Sequence, residues 1–299
     1  MVFRATAPCS RRVRILLTGK NGQVGWELQR SLVPLGDVTA VGTQELDLAD
    51  PDAIRAALHR LAPDVIVNPA AYTAVDQAQR EEPLAYAINA IAPGVLADEA
   101  TRRGALLIHY STDYVFDGTK AGPYAESDPP NPVSVYGASK LAGERAIQAS
   151  GCRHVILRTS WVYGARGKNF LLTMLRLARE RPELRVVSDQ IGAPTWCRAL
   201  AEATTAVIGK ALVDPGTHGL YHATNSGATS WFEFAKEILR AAKLATPVHP
   251  IPASAYPTPA VRPANSVLDN TRLLRTLGVA LPDWRLSLAQ CMREVGNPS

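Results

Sequence analysis

The 299-residue sequence lacks long apolar runs, paired cysteines and basic blocks, and each absence argues against a class of protein. The longest apolar stretches, RILLTG and DVIVNPAA, are strand-sized and far shorter than the roughly 20 residues that cross a bilayer. Four cysteines, at positions 9, 152, 197 and 291, show no C-x-x-C spacing, which argues against a zinc site and indicates a reducing compartment. Although the net charge is +5, no Lys/Arg cluster is interleaved with aromatics. We therefore expect a cytoplasmic protein without a nucleic-acid or membrane partner.

Short β-rich runs alternate with helical stretches through the first half of the chain. The predicted strands are 13–18, 38–41, 64–69, 105–111 and 154–159, and the predicted helices are 23–32, 51–61, 75–103 with a break near Pro93, and 133–149. Strands that alternate with helices form right-handed crossovers in a parallel sheet covered on both faces. The pattern therefore predicts a Rossmann-like, doubly wound α/β fold.

The composition changes after about Gly164, where proline becomes dense, as in HPIPASAYPTPAVRP. Helices predicted at 170–181, 232–244 and 286–295 are separated by long loops, and loops of that length in a compact protein usually carry function. We predict a disordered tail over 1–11 and a dinucleotide-binding domain over 12–164, to which part of 196–221 returns. A smaller α/β substrate domain is expected mainly over 165–299.

A glycine-rich loop, ILLTGKNGQVGWELQ, connects the first predicted strand to the first helix. Gly19 permits a tight turn, Gly22 lets the backbone approach a pyrophosphate, and Gly25 allows close packing of helix and strand. The N-terminus of the helix offers free N–H groups and a partial positive charge to such a ligand. The alternative is a turn that merely needs glycines.

The end of the second strand usually distinguishes NAD from NADP. Gly42 stands there in place of the acid that would hold the ribose 2′-hydroxyl, which slightly favours NADPH and leaves NADH open. Asp47 and Leu48 are candidates for the adenine side. A capping role for nearby Asp50 before Pro51 is equally ordinary.

Two further segments carry candidate catalytic groups. HYSTDYVFDG follows the fourth strand, so Ser111, Thr112 and Asp113 should open into the crevice at the carboxyl ends of the strands, although a backbone cap is an alternative for each hydroxyl. SVYGASKLAGE places Tyr136 and Lys140 on one face of a helix. We expect the ammonium to lower the pKa of the phenol, and the small residues between them to leave room for ligands.

These motifs together resemble the extended short-chain dehydrogenase/reductase superfamily, and more narrowly the dTDP-4-dehydrorhamnose reductase family. The likeness runs in order from about Arg14 to the C-terminus. Its motifs are GKNGQVGWELQ, PDVIVNPAAYTAVD, YSTDYVFDG, VYGASKLAGE, RTSWVYG, SDQIGAPT and AYPTPAVRPANS. The resemblance implies NADPH- or NADH-dependent reduction of the 4-keto group of dTDP-4-dehydro-β-L-rhamnose to dTDP-L-rhamnose, the last step of dTDP-rhamnose synthesis.

The resemblance also implies roles for individual residues. The implied cofactor contacts are Gly22, Gln23, Val24, Asp47, Leu48, Ala71, Tyr72, Thr73 and Tyr110. Tyr136 is implied as the proton donor, Lys140 as the group that binds the nicotinamide ribose, and Thr112 as a hydrogen-bond partner near the reacting oxygen. Asp113 and Trp161 are implied at the sugar nucleotide. Read without the family, Trp161 could equally be a core aromatic at a strand end.

One departure from the family concerns magnesium. Some members dimerise through a magnesium ion held by carboxylates, but GAPTWCRALAE has Arg198 where an acid is expected, although Glu27 is present. A cation beside Arg198 is electrostatically disfavoured, so we expect no metal and a monomer or a homodimer.

Two other functions remain open from the sequence. A non-catalytic nucleotide-binding subunit is possible on this fold, as is a nucleotide-sugar epimerase or dehydratase. A dehydratase is a poor fit because no Glu follows Asp113.

Overall fold

The computed structural model describes residues 12–296, and the segment predicted to be disordered, 1–11, lies outside that range. The strands are β1 Val13–Leu17, β2 Gly36–Ala40, β3 Val65–Asn68, β4 Leu106–Thr112, β5 Arg153–Thr159, β6 Val162–Tyr163, β7 Leu184–Val187, β8 Ile191–Gly192, β9 Thr195–Trp196, β10 Gly219–His222, β11 Thr229–Ser230 and β12 Val248–Ile251. The α-helices are α1 Gln23–Ser31, α2 Pro51–Leu61, α3 Val75–Ala78, α4 Glu82–Tyr86, α5 Ala92–Arg103, α6 Val135–Ala149, α7 Phe170–Glu180, α8 Cys197–Val213, α9 Trp231–Ala241, α10 Thr271–Leu277 and α11 Trp284–Gly296.

A six-stranded parallel sheet forms the centre of the molecule, in the order β10-β5-β4-β3-β1-β2. The chain runs outward from β1 in both directions, first to β2 and then across to β3. Ligand crevices in doubly wound folds lie at the carboxyl ends of the strands where the order reverses in this way. The Rossmann-like fold class predicted from the sequence is confirmed.

Alternate residues of β4 build the core on the two faces of the sheet. Leu106 and Ile108 pack in one cluster with Leu28 of α1, whereas Leu107 packs in the opposite cluster with Leu96 of α5. All five side chains are fully buried, which contributes about 1.5–3 kcal/mol each. The sheet is therefore covered on both faces, and its strand ends form the open edge.

The break predicted near Pro93 within 75–103 is wrong in its place, because the segment divides between α3 and α4 and then runs through a π-helix over Ala87–Ile91 into α5. Pro93 lacks an N–H group and cannot bond the carbonyl of Asn89 four residues earlier, so the chain widens into a π turn instead of breaking. The Asn89 side chain bonds both backbone polar groups of Tyr72 (2.8 and 3.1 Å) and the hydroxyl of Ser139 (3.1 Å). The π turn thereby ties the loop after β3 to α6.

Residues beyond Gly164 form two two-stranded sheets, β8–β11 and β7–β12, together with helices, and β9 of this half pairs with β6, which precedes Gly164. Two elements of this half pack against the first half: β10 lies beside β5 in the central sheet, and α8 packs on α1. The boundaries 12–164 and 165–299 stay a prediction. None of the helices found between residues 12 and 296 has the length and apolar character to cross a membrane.

Candidate active site

A cavity of about 650 Å³ opens at the carboxyl ends of the central strands. Several of its lining residues belong to the predicted sites, namely Gly19, Gly22, Gln23, Val24, Ala71, Thr73, Tyr110, Thr112, Asp113, Tyr136, Lys140 and Trp161. The fold thus brings together segments that are more than 100 residues apart in the sequence. Tyr110 contributes to the wall, and its phenol forms a buried hydrogen bond of 2.6 Å with Thr204 Oγ1.

The glycine-rich loop forms one end of this cavity. Gly19 has a φ of +63°, which side-chain-bearing residues rarely adopt, and a Cβ at Gly25 would collide with the Gly19 carbonyl. No side chain among the described residues caps the N-terminus of α1 at Gly22, so its first N–H groups remain available. Such a terminus fits a phosphate group, which the bare backbone can approach closely.

Helix α6 places Tyr136 and Lys140 on the cavity one turn apart. The hydroxyl of Ser134 accepts a hydrogen bond from the Gly137 N–H at 3.1 Å and so fixes the start of the helix. A Cβ on Gly137 would collide with the carbonyl oxygen of Tyr114. Gly137 is therefore needed for close packing of α6 against the loop after β4, and not only to leave room for ligands.

The end of β4 contributes a compact polar group. The Thr112 hydroxyl donates to Asp113 Oδ1 at 2.9 Å and accepts from the Tyr114 N–H at 3.2 Å, so it also performs the capping role considered from the sequence. Asp113 Oδ2 and the Ser111 hydroxyl are buried and have no hydrogen-bond partner in the part of the chain that the structure describes. The nearby Ser266 hydroxyl acts to lower the pKa of Asp113, so the carboxyl is not without polar neighbours.

Burial sets the protonation of all three titratable groups at this site. It raises the pKa of Tyr136 to about 12, and the hydroxyl of Thr112 opposes this effect. Burial also lowers the pKa of Lys140 to about 8, against the carboxylate of Glu144, and raises that of Asp113 to about 7. The sequence-based expectation that Lys140 lowers the pKa of Tyr136 is wrong for this structure, where the Lys140 amine instead lies 3.2 Å from His109 Nε2.

Trp161 lies on the far wall of the cavity in an unusual conformation. Its φ of +47° belongs to the left-handed region, and its indole stacks on Trp231 with ring centroids 3.5 Å apart and an interplanar angle of 6°. The side chain is only partly buried. Trp161 is therefore a wall of the cavity rather than the core aromatic that the sequence left as an alternative.

Three predicted site residues lie outside the cavity lining. The Asp47 carboxylate accepts from the Ala49 N–H at 2.8 Å, and Leu48 is buried in the core cluster beneath α2. The phenol of Tyr72 donates to Glu81 at 2.7 Å, and burial with this partner raises its pKa to about 12. Their predicted contacts with the cofactor stay predictions.

The chain matches the family described as the RmlD substrate binding domain over residues 13–297. It is 50% identical to a dTDP-4-dehydrorhamnose reductase of Burkholderia thailandensis over 95% of this chain and 99% of that protein. It is also 46% identical to the reductase of the same name from Salmonella typhimurium, over 95% of this chain and 98% of that protein. The chain belongs to the dTDP-4-dehydrorhamnose reductase family.

Solved structures agree with this assignment. The dTDP-4-dehydrorhamnose reductase of Bacillus anthracis in complex with NADP superposes with a TM-score of 0.90 at 38% identity, over 95% of this chain and 99% of that one. A UDP-glucose 4-epimerase of Thermus thermophilus, at 20% identity and a TM-score of 0.81, shares the fold. The resemblance inferred from the motifs is confirmed, and the chain is an oxidoreductase of this reductase family.

Several residues that line the cavity were missed by the sequence analysis. They are Asn21, Thr43, Pro69, Ala70, Thr159, Ser160, Val162, Gly167 and Lys168.

Glu45 was also missed: its carboxylate accepts from the Gly42 N–H at 2.8 Å and lies 2.5 Å from Lys20 Nζ. The acid near the end of β2 is thus supplied by Glu45, three residues after Gly42. No motif in the sequence pointed to Glu45, whereas Lys168, a basic residue in a glycine-containing loop after a strand, was recognisable in principle.

The residues at Arg198 do not fit the magnesium ion that some members of this reductase family use. The Arg198 guanidinium bonds Glu27 at 3.0 Å and also contacts Glu294, so both carboxylates already have a cation between them. Among residues 12–296, no three His, Cys, Asp or Glu side chains come together as metal ligands. An arginine occupies the centre of this acidic cluster.

Proposed function

We propose that this chain reduces the 4-keto group of dTDP-4-dehydro-β-L-rhamnose to give dTDP-L-rhamnose, with NADPH as the reductant. One observation carries the proposal: Thr112, Tyr136 and Lys140 converge on the cavity that the glycine-rich loop closes at one end. Relatives named for this reaction share up to half of the residues of the chain.

Tyr136 is the proton donor of the proposed reaction. A phenol whose pKa lies near 12 keeps its proton at neutral pH, which suits a group that must protonate the ketone oxygen as it becomes an alkoxide. The Thr112 hydroxyl acts to lower the pKa of the same phenol, and both groups line one cavity, where together they would hold the substrate oxygen.

Asp113 and Trp161 bind the sugar nucleotide in this proposal. The unpartnered Oδ2 of Asp113 is a hydrogen-bond acceptor for a sugar hydroxyl when the carboxyl is ionised, and a donor when it is protonated. The stacked pair Trp161–Trp231 gives the opposite wall a rigid apolar face, on which a sugar or base ring packs favourably.

The residues around the cavity fit a nicotinamide dinucleotide. Bound NADPH supplies the hydride. The open N-terminus of α1 receives the pyrophosphate, and Lys140 holds the nicotinamide ribose. Lys20 and Glu45 lie beside Gly42, where the adenosine ribose is expected, so Lys20 would pair with a 2′-phosphate while Glu45 would favour a free 2′-hydroxyl. We infer that both cofactors are accepted and that NADPH is the better one.

The test is a turnover assay with purified protein. Loss of NADPH absorbance on addition of the 4-keto sugar nucleotide, with dTDP-L-rhamnose as product, is the expected result. Comparison of kcat/KM for NADPH and NADH measures the preference, and a strong preference for NADH would reject the cofactor assignment. Binding of NADPH without any turnover would instead favour a non-catalytic subunit. Conversion of UDP-glucose or of a 4-hydroxy sugar nucleotide would favour an epimerase or a dehydratase.

The same proposal includes a cytoplasmic location and a nucleotide sugar as the small-molecule partner. Its support is that Cys152, Cys197 and Cys291 are free thiols, as in a reducing compartment. The choice between monomer and homodimer is open to size-exclusion chromatography of the purified protein.

A further inference from the structure

A buried row of four polar side chains leads from the glycine-rich loop to the catalytic helix. The Thr18 hydroxyl lies 2.6 Å from Asn68 Oδ1, Asn68 Nδ2 lies 3.1 Å from His109 Nδ1, and His109 Nε2 lies 3.2 Å from Lys140 Nζ. Each of the four side chains is at most 2% exposed. Water therefore cannot satisfy these groups, and each must rely on its neighbour in the row.

The sheet register fixes this row. Asn68 and His109 are direct partners in the parallel pairing of β3 with β4, so their side chains project from the same face of the sheet. Thr18 follows β1, and its N–H bonds the carbonyl of Val67, which places it beside Asn68. The row ends at Lys140 because α6 packs on this face of β4. The positions of Asn68 and His109 in the row are thus set by paired strands and not by a loop.

The chemistry of the groups allows two directions of hydrogen bonding along the row. A neutral imidazole has one donor and one acceptor nitrogen, whereas a lysine ammonium can only donate. With a neutral Lys140 amine, Thr18 donates to Asn68 Oδ1, Asn68 Nδ2 donates to His109 Nδ1, and His109 Nε2–H donates to the amine. With a charged Lys140, the ammonium donates to Nε2 and every bond in the row must reverse, which requires the Asn68 amide to turn over.

We propose that His109 is a positioning residue for Lys140, and that the Thr18–Asn68–His109–Lys140 row reverses its hydrogen bonds when Lys140 gains or loses a proton. The row gives a deeply buried amine a partner in both protonation states. The effect of the row on turnover rests on the proposed function, because the row acts through Lys140. The effect of the row on the protonation of Lys140 is independent of the proposed function.

Among the described residues, His109 is the side chain that lies within hydrogen-bond distance of Lys140 Nζ, and the carboxylate of Glu144 acts on the pKa of Lys140 through a Coulomb interaction. Asp113, from the end of β4, and Tyr136, from α6, line the same cavity. Glu144, one turn further along α6, is already paired with Arg158 of β5 through two hydrogen bonds of 2.9 and 2.6 Å.

His109 itself remains neutral, since burial and the nearby Lys140 hold its pKa well below the ordinary value. The proton therefore resides on Lys140, whose own pKa of about 8 lies near neutrality.

The experiment measures the pKa of Lys140 by NMR titration of protein labelled with ¹³C-lysine, with the signal assigned by its loss in Lys140→Met. His109→Leu removes the acceptor of the ammonium and should lower the pKa by about one unit or more. His109→Gln retains a group that can either donate or accept and should restore most of the shift. His154→Leu, on the neighbouring strand β5, is the matched control and should change nothing.

A second variant tests the direction of the row. Asn68→Asp places an acceptor beside His109 Nδ1, which holds the proton on that nitrogen and leaves Nε2 free to accept from the ammonium. The pKa of Lys140 should therefore rise, opposite to the effect of His109→Leu. If His109→Leu fails to fold, the pKa of Lys140 in Asn68→Asp tests the row on its own.

Three results distinguish the two proposals. An unchanged Lys140 pKa in folded His109→Leu, or a fall in Asn68→Asp, would overturn the row. A shift of the pKa in the expected directions supports it even if the wild-type protein fails to reduce the keto sugar, which would reject the proposed function alone. Affinity for NADPH, measured by fluorescence without any sugar, should weaken about two- to tenfold in His109→Leu at pH 7, as the charged fraction of Lys140 falls, and recover in His109→Gln.

Discussion

Two cations in this molecule, Lys140 and Arg198, have opposite surroundings. Lys140 is fully buried beside a neutral imidazole, and burial lowers its pKa to about 8. Arg198 is partly exposed between the carboxylates of Glu27 and Glu294, which raise its pKa against the opposing effect of burial. A buried cation without a full counter-ion can change charge near neutral pH, whereas a cation between two carboxylates is fixed and serves structure. Lys140 in the crevice can therefore change its charge near neutral pH, whereas Arg198 in the acidic cluster keeps its charge.

The largest effect is expected from Tyr136→Phe, in the crevice. The phenolic proton is needed only as the ketone oxygen becomes an alkoxide, so its loss should lower kcat by about 10²–10⁴-fold while NADPH binding changes little. Steady-state kinetics and a binding titration check this. Tyr256→Phe, at an exposed position, is the control. Retention of most of kcat in Tyr136→Phe would show that another group donates the proton.

The next effect concerns the charge of Lys140. Its pKa of about 8 means that the ammonium is present below this pH and is lost as the pH rises through it. We expect NADPH affinity to fall over that interval. Lys140→Met should abolish the pH step and weaken binding at pH 7 by about 10–100-fold, the worth of a hydrogen bond from a charged donor. The exposed Lys210→Met should keep the step, and a step that survives in Lys140→Met would assign it to another group.

A smaller effect is expected on stability from Asp113→Asn. Burial raises the pKa of Asp113 to about 7, above the ordinary value of 3.8, so the folded protein binds more protons than the unfolded chain between these pH values. The wild type should therefore lose stability as the pH rises from about 4 to about 7. The asparagine variant should be free of this loss and be more stable at pH 8 by about 1–2 kcal/mol. Chemical denaturation at both pH values measures it, with the exposed Asp98→Asn as control.

The smallest effects are expected at the acidic cluster. Because Arg198 already lies between the carboxylates, EDTA should leave both activity and the elution volume in size-exclusion chromatography unchanged. Arg198→Met should lower the free energy of unfolding by only about 1 kcal/mol, since Arg198 is partly exposed and the buried Glu27 keeps a second cation, Arg30, at 3.4 Å. Dissociation or inactivation on chelation would show that a metal supports this region after all.

The tertiary structure also revised interpretations that the sequence suggested. Small residues in the 134–144 stretch were expected to leave space for ligands, but Gly137 is required by the carbonyl of Tyr114, which comes from another element. Gly42 was taken as the absence of an acid, whereas Glu45 folds back to bond its N–H group. Asp47 and Leu48 lie outside the cavity lining, and their expected contacts with the adenine stay predictions. The neighbour of Gly137 lies on another element, whereas Glu45 is only three residues from Gly42 and becomes visible as its partner once the turn is folded.

The sequence by itself determined the alternation of strands and helices, the glycine-rich turn into α1, and the shared helical face of Tyr136 and Lys140. These follow from periods of two and 3.6 residues and from the special conformations of glycine, which act over a few neighbouring positions. Only the tertiary structure decided how the side chains of the site ionise and which residues they contact. Lys140 meets His109 from 31 residues earlier, and Arg198 meets Glu27 from 171 residues earlier. Desolvation and Coulomb forces depend on distance in space, and the sequence alone does not specify which distant segments will pack around a charge.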